Sequence, residues 1–195
     1  YGMPAKMREI MAISKEFEIP VIEDAAGAFG AKYDKKKCGT IGDVGVFSFN
    51  SNKIITTFGG GGLVTKKASL KKKALFYATQ AKEPVSYYQH SKIGYNYRMS
   101  PVAAAIGCEQ LKRIALKMSN KKKIHTYYSQ LFSVMPGVDL QKTPSNEFQS
   151  NYWLSTIMVH KEICGFSNTD VKHQLLKQNI EARSVWNPLH EQPVF

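Results

Sequence analysis

The sequence predicts an α/β fold: a mostly parallel central sheet with flanking helices, plus part of a smaller C-terminal α+β domain. Three observations carry this. A helix-spaced segment runs into the short apolar run Ile19-Pro20-Val21-Ile22, which ends in Glu23-Asp24; that is the form of a buried parallel strand with acids at its carboxyl end. Two more short apolar runs follow, at 44–49 and 62–65, with Gly59-Gly60-Gly61-Gly62 as a tight turn before the latter. Beyond Ser100-Pro101 the pattern becomes one long helical period followed by strand, helix and strand. That change places a domain boundary near residue 115, dividing the chain into 1–115 and 116–195.

Taken in order, Pro4 suits the first position of a helix, and Met7, Ile10, Met11 and Phe17 keep helical spacing. Residues 70–81 read as a second helix, and the aromatic-rich 87–97 as irregular. Val102, Ile106, Leu111, Ile114 and Met118, continuing from Ile124 to Leu131, predict one long helix with Gly107 as its weak point. Met135-Pro136-Gly137 closes it. A polar loop over 143–149, a strand over 152–159, a helix over 170–177 capped by Ser167, Asn168 or Thr169, and a strand over 180–186 complete the chain. Neither Tyr1-Gly2-Met3-Pro4 nor Pro193-Val194-Phe195 reads as a natural end, so the expectation is a segment truncated at both ends.

Hydrophobic content of 43% with 22% charged residues excludes a disordered tail. No apolar run approaches the roughly 20 residues that cross a bilayer, and no leader pattern opens the chain, so a cytoplasmic location is expected. The net charge of +12 is mostly lysine, in separated triplets such as Lys35-Lys36-Lys37 and Lys71-Lys72-Lys73. It implies contact with something anionic without choosing among nucleic acid, a phosphorylated metabolite and an acidic surface. Cys38, Cys108 and Cys164 have neither CxxC spacing nor an even count, so no disulfide framework and no metal site is expected.

Walker, GxGxxG, HExxH and GxSxG motifs are absent. A sharper constellation is Asp24, Ser48 and Lys53. In an open α/β sheet, ligands bind at the carboxyl ends of the strands. Asp24 ends one strand, Ser48 nearly ends the next, and Lys53 follows a few residues later. An acid, a hydroxyl and a lysine at one crevice fit pyridoxal 5'-phosphate: an amine for its aldehyde, a carboxylate for its ring nitrogen, a donor for its phosphate. Each residue taken singly also fits a solvated lysine or a strand-end cap.

The runs Val21-Ile22-Glu23-Asp24-Ala25-Ala26, Cys38-Gly39-Thr40-Ile41-Gly42-Asp43, Phe47-Ser48-Phe49 and Asn52-Lys53-Ile54-Ile55-Thr56-Thr57, with the glycines that follow, closely resemble the nucleotide-sugar aminotransferases, the DegT/StrS group of fold-type I pyridoxal phosphate enzymes. Gly94-Tyr95-Asn96-Tyr97-Arg98-Met99-Ser100 and Trp186-Asn187-Pro188-Leu189-His190 are similar to two later blocks of the same family. The resemblance covers essentially the whole chain. The glycine turn and Tyr77-Ala78-Thr79-Gln80-Ala81 look most like members that aminate UDP-linked 4-keto-6-deoxy-N-acetyl sugars, as in bacillosamine and legionaminic acid synthesis. What the resemblance implies is a transaminase with Lys53 as the Schiff-base lysine, Asp24 as the partner of the pyridinium nitrogen and Ser48 as a phosphate ligand. It implies further that Asn96 reaches the cofactor phosphate of a second subunit in a homodimer with shared sites, and that His190 lies near the nucleotide sugar. The partners so implied are the nucleotide sugar, an amino-acid donor (glutamate in the family) and a second copy of the chain, with neither nucleic acid nor membrane. Trp186 reads as packing.

Two departures stand out. Gly27 occupies a position where many relatives carry Gln, His or Glu, which removes one side-chain contact beside the cofactor ring, and Lys35 replaces a turn glycine. Two alternatives are a basic nucleic-acid-binding module with Tyr87, Tyr88, Tyr95 and Tyr97 as stacking groups, and a non-catalytic relic of the fold. The joint presence of Lys53 and Asp24 argues against the relic, and against the related sugar dehydratases, which carry histidine at the lysine position.

Overall fold

The parallel strand pair expected from the apolar runs is at the centre of the first part of the chain. A computed structural model describes residues 1–194. Helix α1 (Met7–Glu16) leads into β1 (Ile22–Asp24), and β1 pairs in parallel with β4 (Val44–Ser48), Asp24 opposite Val46. Between them lies the small hairpin β2 (Lys32–Tyr33) and β3 (Lys36–Lys37). Strand β5 (Gly61–Thr65) returns antiparallel to β4, giving the order β1-β4-β5. The β1–β4 ladder is the parallel one among the described residues.

The loop before β4 is shaped by a buried acid. Glu23 accepts hydrogen bonds from the backbone N–H groups of Gly39 (2.7 Å), Ile41 (2.6 Å) and Gly42 (2.6 Å), so three donors that would otherwise lie unpaired share one carboxylate. The backbones then approach so closely that a Cβ on Gly45 would stand 1.9 Å from the Gly39 carbonyl oxygen. Cys38 is buried beside this loop in a cluster with Ala25 and Ala31, and burial pushes its thiol up to about 11.

Helix α2 (Ala68–Ala78) follows β5. In place of one long helix, α3 (Pro101–Lys112) and α4 (Ile114–Ser133) are separated at Arg113, whose backbone leaves helical geometry. Gly107 does not interrupt α3. Its open side faces Thr57, whose Cγ2 would stand 3.0 Å from an added Cβ, so the glycine serves close packing there. Ser100 caps α3 by accepting from the N–H of Ala103 (3.2 Å).

The described residues divide into two compact units, 1–122 with 143–153, and 123–142 with 154–194. The expected polar loop at 143–149 holds a short strand, β7 (Phe148–Gln149), which pairs with β2 in the first unit. The strand expected over 152–159 forms only at β8 (Ile157–Val159), paired with β6 (Val138–Leu140) in the second unit. Residues 151–153 are taken up elsewhere, because Asn151 and Trp153 are buried in the first unit and Tyr152 turns the chain with φ 53. The short α5 (Lys161–Cys164) precedes α6 (Asn168–Lys177), which carries a full capping box between Ser167 and Asp170. No strand forms over 180–186: those residues are exposed and belong to no sheet, and Trp186, expected to pack, is 64% exposed. A single 3-10 turn (Leu189–Glu191) follows. No helix among the described residues is long and apolar enough to cross a membrane.

Candidate functional site

At the carboxyl end of the β1–β4 pair the chain places Asp24 and Ser48 on neighbouring strands. Asp24 is exposed there; its Oδ1 accepts from the N–H of Ala26 (3.0 Å), and no hydrogen bond to Oδ2 occurs among the described residues. The Oγ of Ser48 accepts from the N–H of Asn50 (3.3 Å), which curls the chain away from the strand. Lys53 follows that bend. It lies close enough to Asp24 for the carboxylate to hold its amine toward the charged form, while burial, the larger effect, pushes the amine below its ordinary value. Thus the structure brings Asp24, Ser48 and Lys53 to one end of one sheet, as the spacing suggested.

The segment carrying Lys53 is pinned on both sides. Ile54 and Ile55 are buried with Trp153 in a cluster that Phe29, Phe49 and Ile114 flank, and Phe29 meets Phe47 and Phe49 edge-on at 5.0 and 6.0 Å. On one side, Gln110 of α3 accepts from the N–H of Thr56 (3.1 Å) and donates to its carbonyl (2.9 Å). On the other, the Trp153 indole N–H donates to the Asn52 carbonyl (2.7 Å). Sequence reading missed both residues. Gln110 is an unremarked polar position on a helix, and Trp153 lies in what reads as a strand. The one signal available was Gly27, whose missing side chain asks what fills the space.

Asn96 and His190 are placed differently. Asn96 is exposed and forms an isolated antiparallel bridge with Thr79. Among the described residues no hydrogen bond joins it to Asp24, Ser48 or Lys53. His190 belongs to the second unit, on the exposed 3-10 turn, with Glu191 Oε1 at 3.9 Å from its Nε2.

Chemically, the group at the strand ends fits pyridoxal phosphate. It offers an amine whose charged form burial disfavours, a neighbouring exposed carboxylate with one oxygen engaged by Ala26, and a hydroxyl at a chain bend. Among the described residues no cluster of three or more His, Cys, Asp or Glu could hold a metal ion.

Comparison with known proteins agrees in kind. Residues 1–195 match the DegT/DnrJ/EryC1/StrS aminotransferase family. A Bacillus subtilis protein named as a pyridoxal phosphate-dependent aminotransferase, EpsN, is 43% identical over all of this chain and 49% of its own length. GDP-perosamine synthase of Escherichia coli O157:H7 is 35% identical over all of this chain and 52% of its own. Among solved structures, the aminotransferase TlmJ from Streptoalloteichus hindustanus superposes with a TM-score of 0.90 at 26% identity, covering 100% of this chain and 52% of that one. The chain therefore spans about half the length of the relatives it matches, and its fold is that of the fold-type I enzymes.

Proposed function

The chain belongs to the DegT/DnrJ/EryC1/StrS aminotransferase family, whose cofactor is pyridoxal 5'-phosphate, and from that premise we propose that the protein transfers an amino group to the 4-keto carbon of a UDP-linked 4-keto-6-deoxy sugar for surface-glycan synthesis. The observation that carries the reading is the convergence of Asp24, Ser48 and a pinned, partly buried Lys53 at the carboxyl end of the parallel pair. The nucleotide sugar is supported by the relative named GDP-perosamine synthase; the choice of UDP rests on the glycine turn and residues 77–81.

When bound, pyridoxal phosphate supplies an aldehyde that takes up an amino group and a ring that draws electrons from the substrate carbon. The chain's own residues do the rest. Lys53 Nζ carries the cofactor and, once displaced, moves a proton to and from the substrate carbon; its depressed basicity leaves more neutral amine for that work near neutral pH. Asp24 holds the proton of the ring nitrogen. Ser48 donates its hydroxyl to the phosphate. Asn96 serves the phosphate of a second copy's site in a homodimer, and His190 approaches the nucleotide sugar. In this reading 1–115 belong to the cofactor-binding domain and the smaller domain is drawn from 116–195, in a cytoplasmic enzyme with glutamate as donor.

The test is to supply the full-length enzyme with cofactor, glutamate and either the UDP- or the GDP-linked 4-keto-6-deoxy sugar, and to follow products by mass spectrometry. A 4-amino product from the UDP substrate is expected. Product only from the GDP substrate would change the sugar, and no amino sugar from any nucleotide-linked ketose would overturn the function.

A further inference from the structure

We infer that Trp153 is a positioning residue for Lys53, fixing both the backbone that leads into the lysine and the amine at its tip. The inference rests on the reading of Lys53 as the cofactor-carrying lysine. Trp153 holds Lys53 at two points. Its indole N–H donates to the carbonyl of Asn52, the residue before the lysine, at 2.7 Å. Its ring face carries the amine, with Lys53 Nζ 3.8 Å from the ring centroid, a distance at which the negative face of an indole attracts an ammonium.

The indole is itself firmly held. Trp153 is 2% exposed. Asn151, fully buried, accepts from the backbone N–H of Trp153 (2.8 Å) and donates to the carbonyls of Gly27 and Phe29 (3.0 Å each). Lys121 donates to the Trp153 carbonyl (3.1 Å). Three of these contacts, Asn151 to Gly27 and Phe29 and Lys121 to Trp153, tie residues 151–153 to the loop after β1 and to α4, so the backbone that carries the buried ring is fixed independently of the lysine.

Gly27 completes the arrangement. A Cβ there would stand 2.8 and 2.9 Å from Cε3 and Cζ3 of the indole, so the ring occupies the space a side chain at 27 would need. The glycine at 27 and the tryptophan at 153 are two halves of one device: the indole fills that space and supports the lysine from there. The ring face favours the protonated amine, and burial opposes it. Among the described side chains, the charged group that faces Lys53 is the Asp24 carboxylate.

The test uses the full-length protein without cofactor, so it reads Lys53 whether or not that lysine carries the cofactor. Acetylation of Lys53 by acetic anhydride is measured across pH by peptide mass spectrometry, and the midpoint of reactivity is compared among variants. Trp153→Leu keeps an apolar group against Lys53 and removes the ring; its midpoint is expected to fall by about 0.5 unit or more, the size of a modest cation–π contact. Trp153→Phe keeps a ring face and is expected to stay within about 0.2 unit of the parent, although losing the bond to Asn52 should lower its melting temperature. Gly27→Ala should push the indole aside and lower the midpoint toward that of Trp153→Leu. The double variant should fall no further, because the ring that alanine displaces is already gone. A folded Trp153→Leu protein with the parent's midpoint would overturn the inference. Should that variant not fold, an unchanged midpoint in Gly27→Ala would overturn it equally. Failure of the Lys53 assignment itself shows separately, as cofactor bound to another lysine.

Discussion

The stretch around Asp24 and Lys53 and the stretch around Asn96 both carry expected site residues, and they are built in opposite ways. The first is closed on itself: Glu23 gathers three backbone donors, Gln110 and Trp153 grip the two sides of the lysine segment, and Asn151 ties the loop after β1 to Trp153. The second hangs from the end of α2 by backbone bonds, Tyr95 N–H to Tyr77, Tyr97 N–H to Ala78 and Gln80 N–H to Tyr95, with Tyr95 and Tyr97 stacked at 5.0 Å and both exposed. A region that satisfies its own polar groups can fix a reactive lysine unaided. A region whose aromatic and amide side chains are exposed suits contact with something outside this chain, in keeping with the proposal, taken from the family resemblance, that Asn96 serves a second copy's site.

The largest effect expected from breaking the first region is at Lys53. Lys53→Ala in the full-length enzyme should lower turnover by about 10⁴-fold or more, since it removes both the attachment point and the proton-moving amine, with no loss in melting temperature. The sign of the stability effect follows from burial. The folded value of Lys53 lies below its unfolded value, so holding the ammonium costs stability at any pH below the folded value and that cost fades as pH rises toward the unfolded value. Removing the amine should therefore leave the melting temperature at neutral pH unchanged or slightly raised. A large drop would make Lys53 a structural residue.

Asp24→Ala should cut turnover on the order of 10²- to 10³-fold, as loss of one preorganised electrostatic partner does, while the exposed carboxylate contributes little to folding. Near-normal rates would reduce Asp24 to the turn cap that its bond to Ala26 already makes it. Its neighbour should behave inversely. Glu23→Gln replaces an acceptor of three backbone donors by a group with one acceptor oxygen, and should destabilise the protein by about 3 kcal/mol; the cofactor-loaded fraction that stays folded should keep its rate. Urea unfolding beside steady-state kinetics separates the two acids.

How far the sequence disclosed this contrast depends on distance along the chain. Acids at a strand end, a hydroxyl at the next strand end and a lysine beyond it are local features, and β1, β4, β5 and the Ser167 cap lie close to their expected places. The clamps were illegible because each joins residues far apart: Asn151 reaches Gly27 and Phe29 across 124 and 122 positions, and Trp153 reaches Asn52 across 101. An apolar run such as 152–159 has the composition of a strand, and nothing in its periodicity reveals that its first residues are committed to another unit. The expected strand at 180–186 joins none of the three sheets, and local composition does not reveal whether a run will find a partner strand. Gly107 misled in the other direction. Helix propensity made it a weak point, whereas tight contact with Thr57 uses the missing side chain.

The smallest effect belongs to the outward-facing region. Asn96→Asp should lower turnover by about tenfold, by setting a carboxylate against a phosphate. Subunit exchange between Lys53→Ala and Asn96→Asp proteins should then place both defects in one shared site and leave the other whole, so that activity rises above both parents. No recovery in verified mixed dimers would confine Asn96 to its own chain and weaken the contrast.

The central claim is that this half of the fold holds the cofactor lysine by its own contacts, and borohydride reduction of the full-length protein loaded with pyridoxal phosphate tests it most directly. Peptide mapping should find the reduced cofactor on Lys53. Reduced cofactor on any of the other lysines, or none fixed at all, would contradict it.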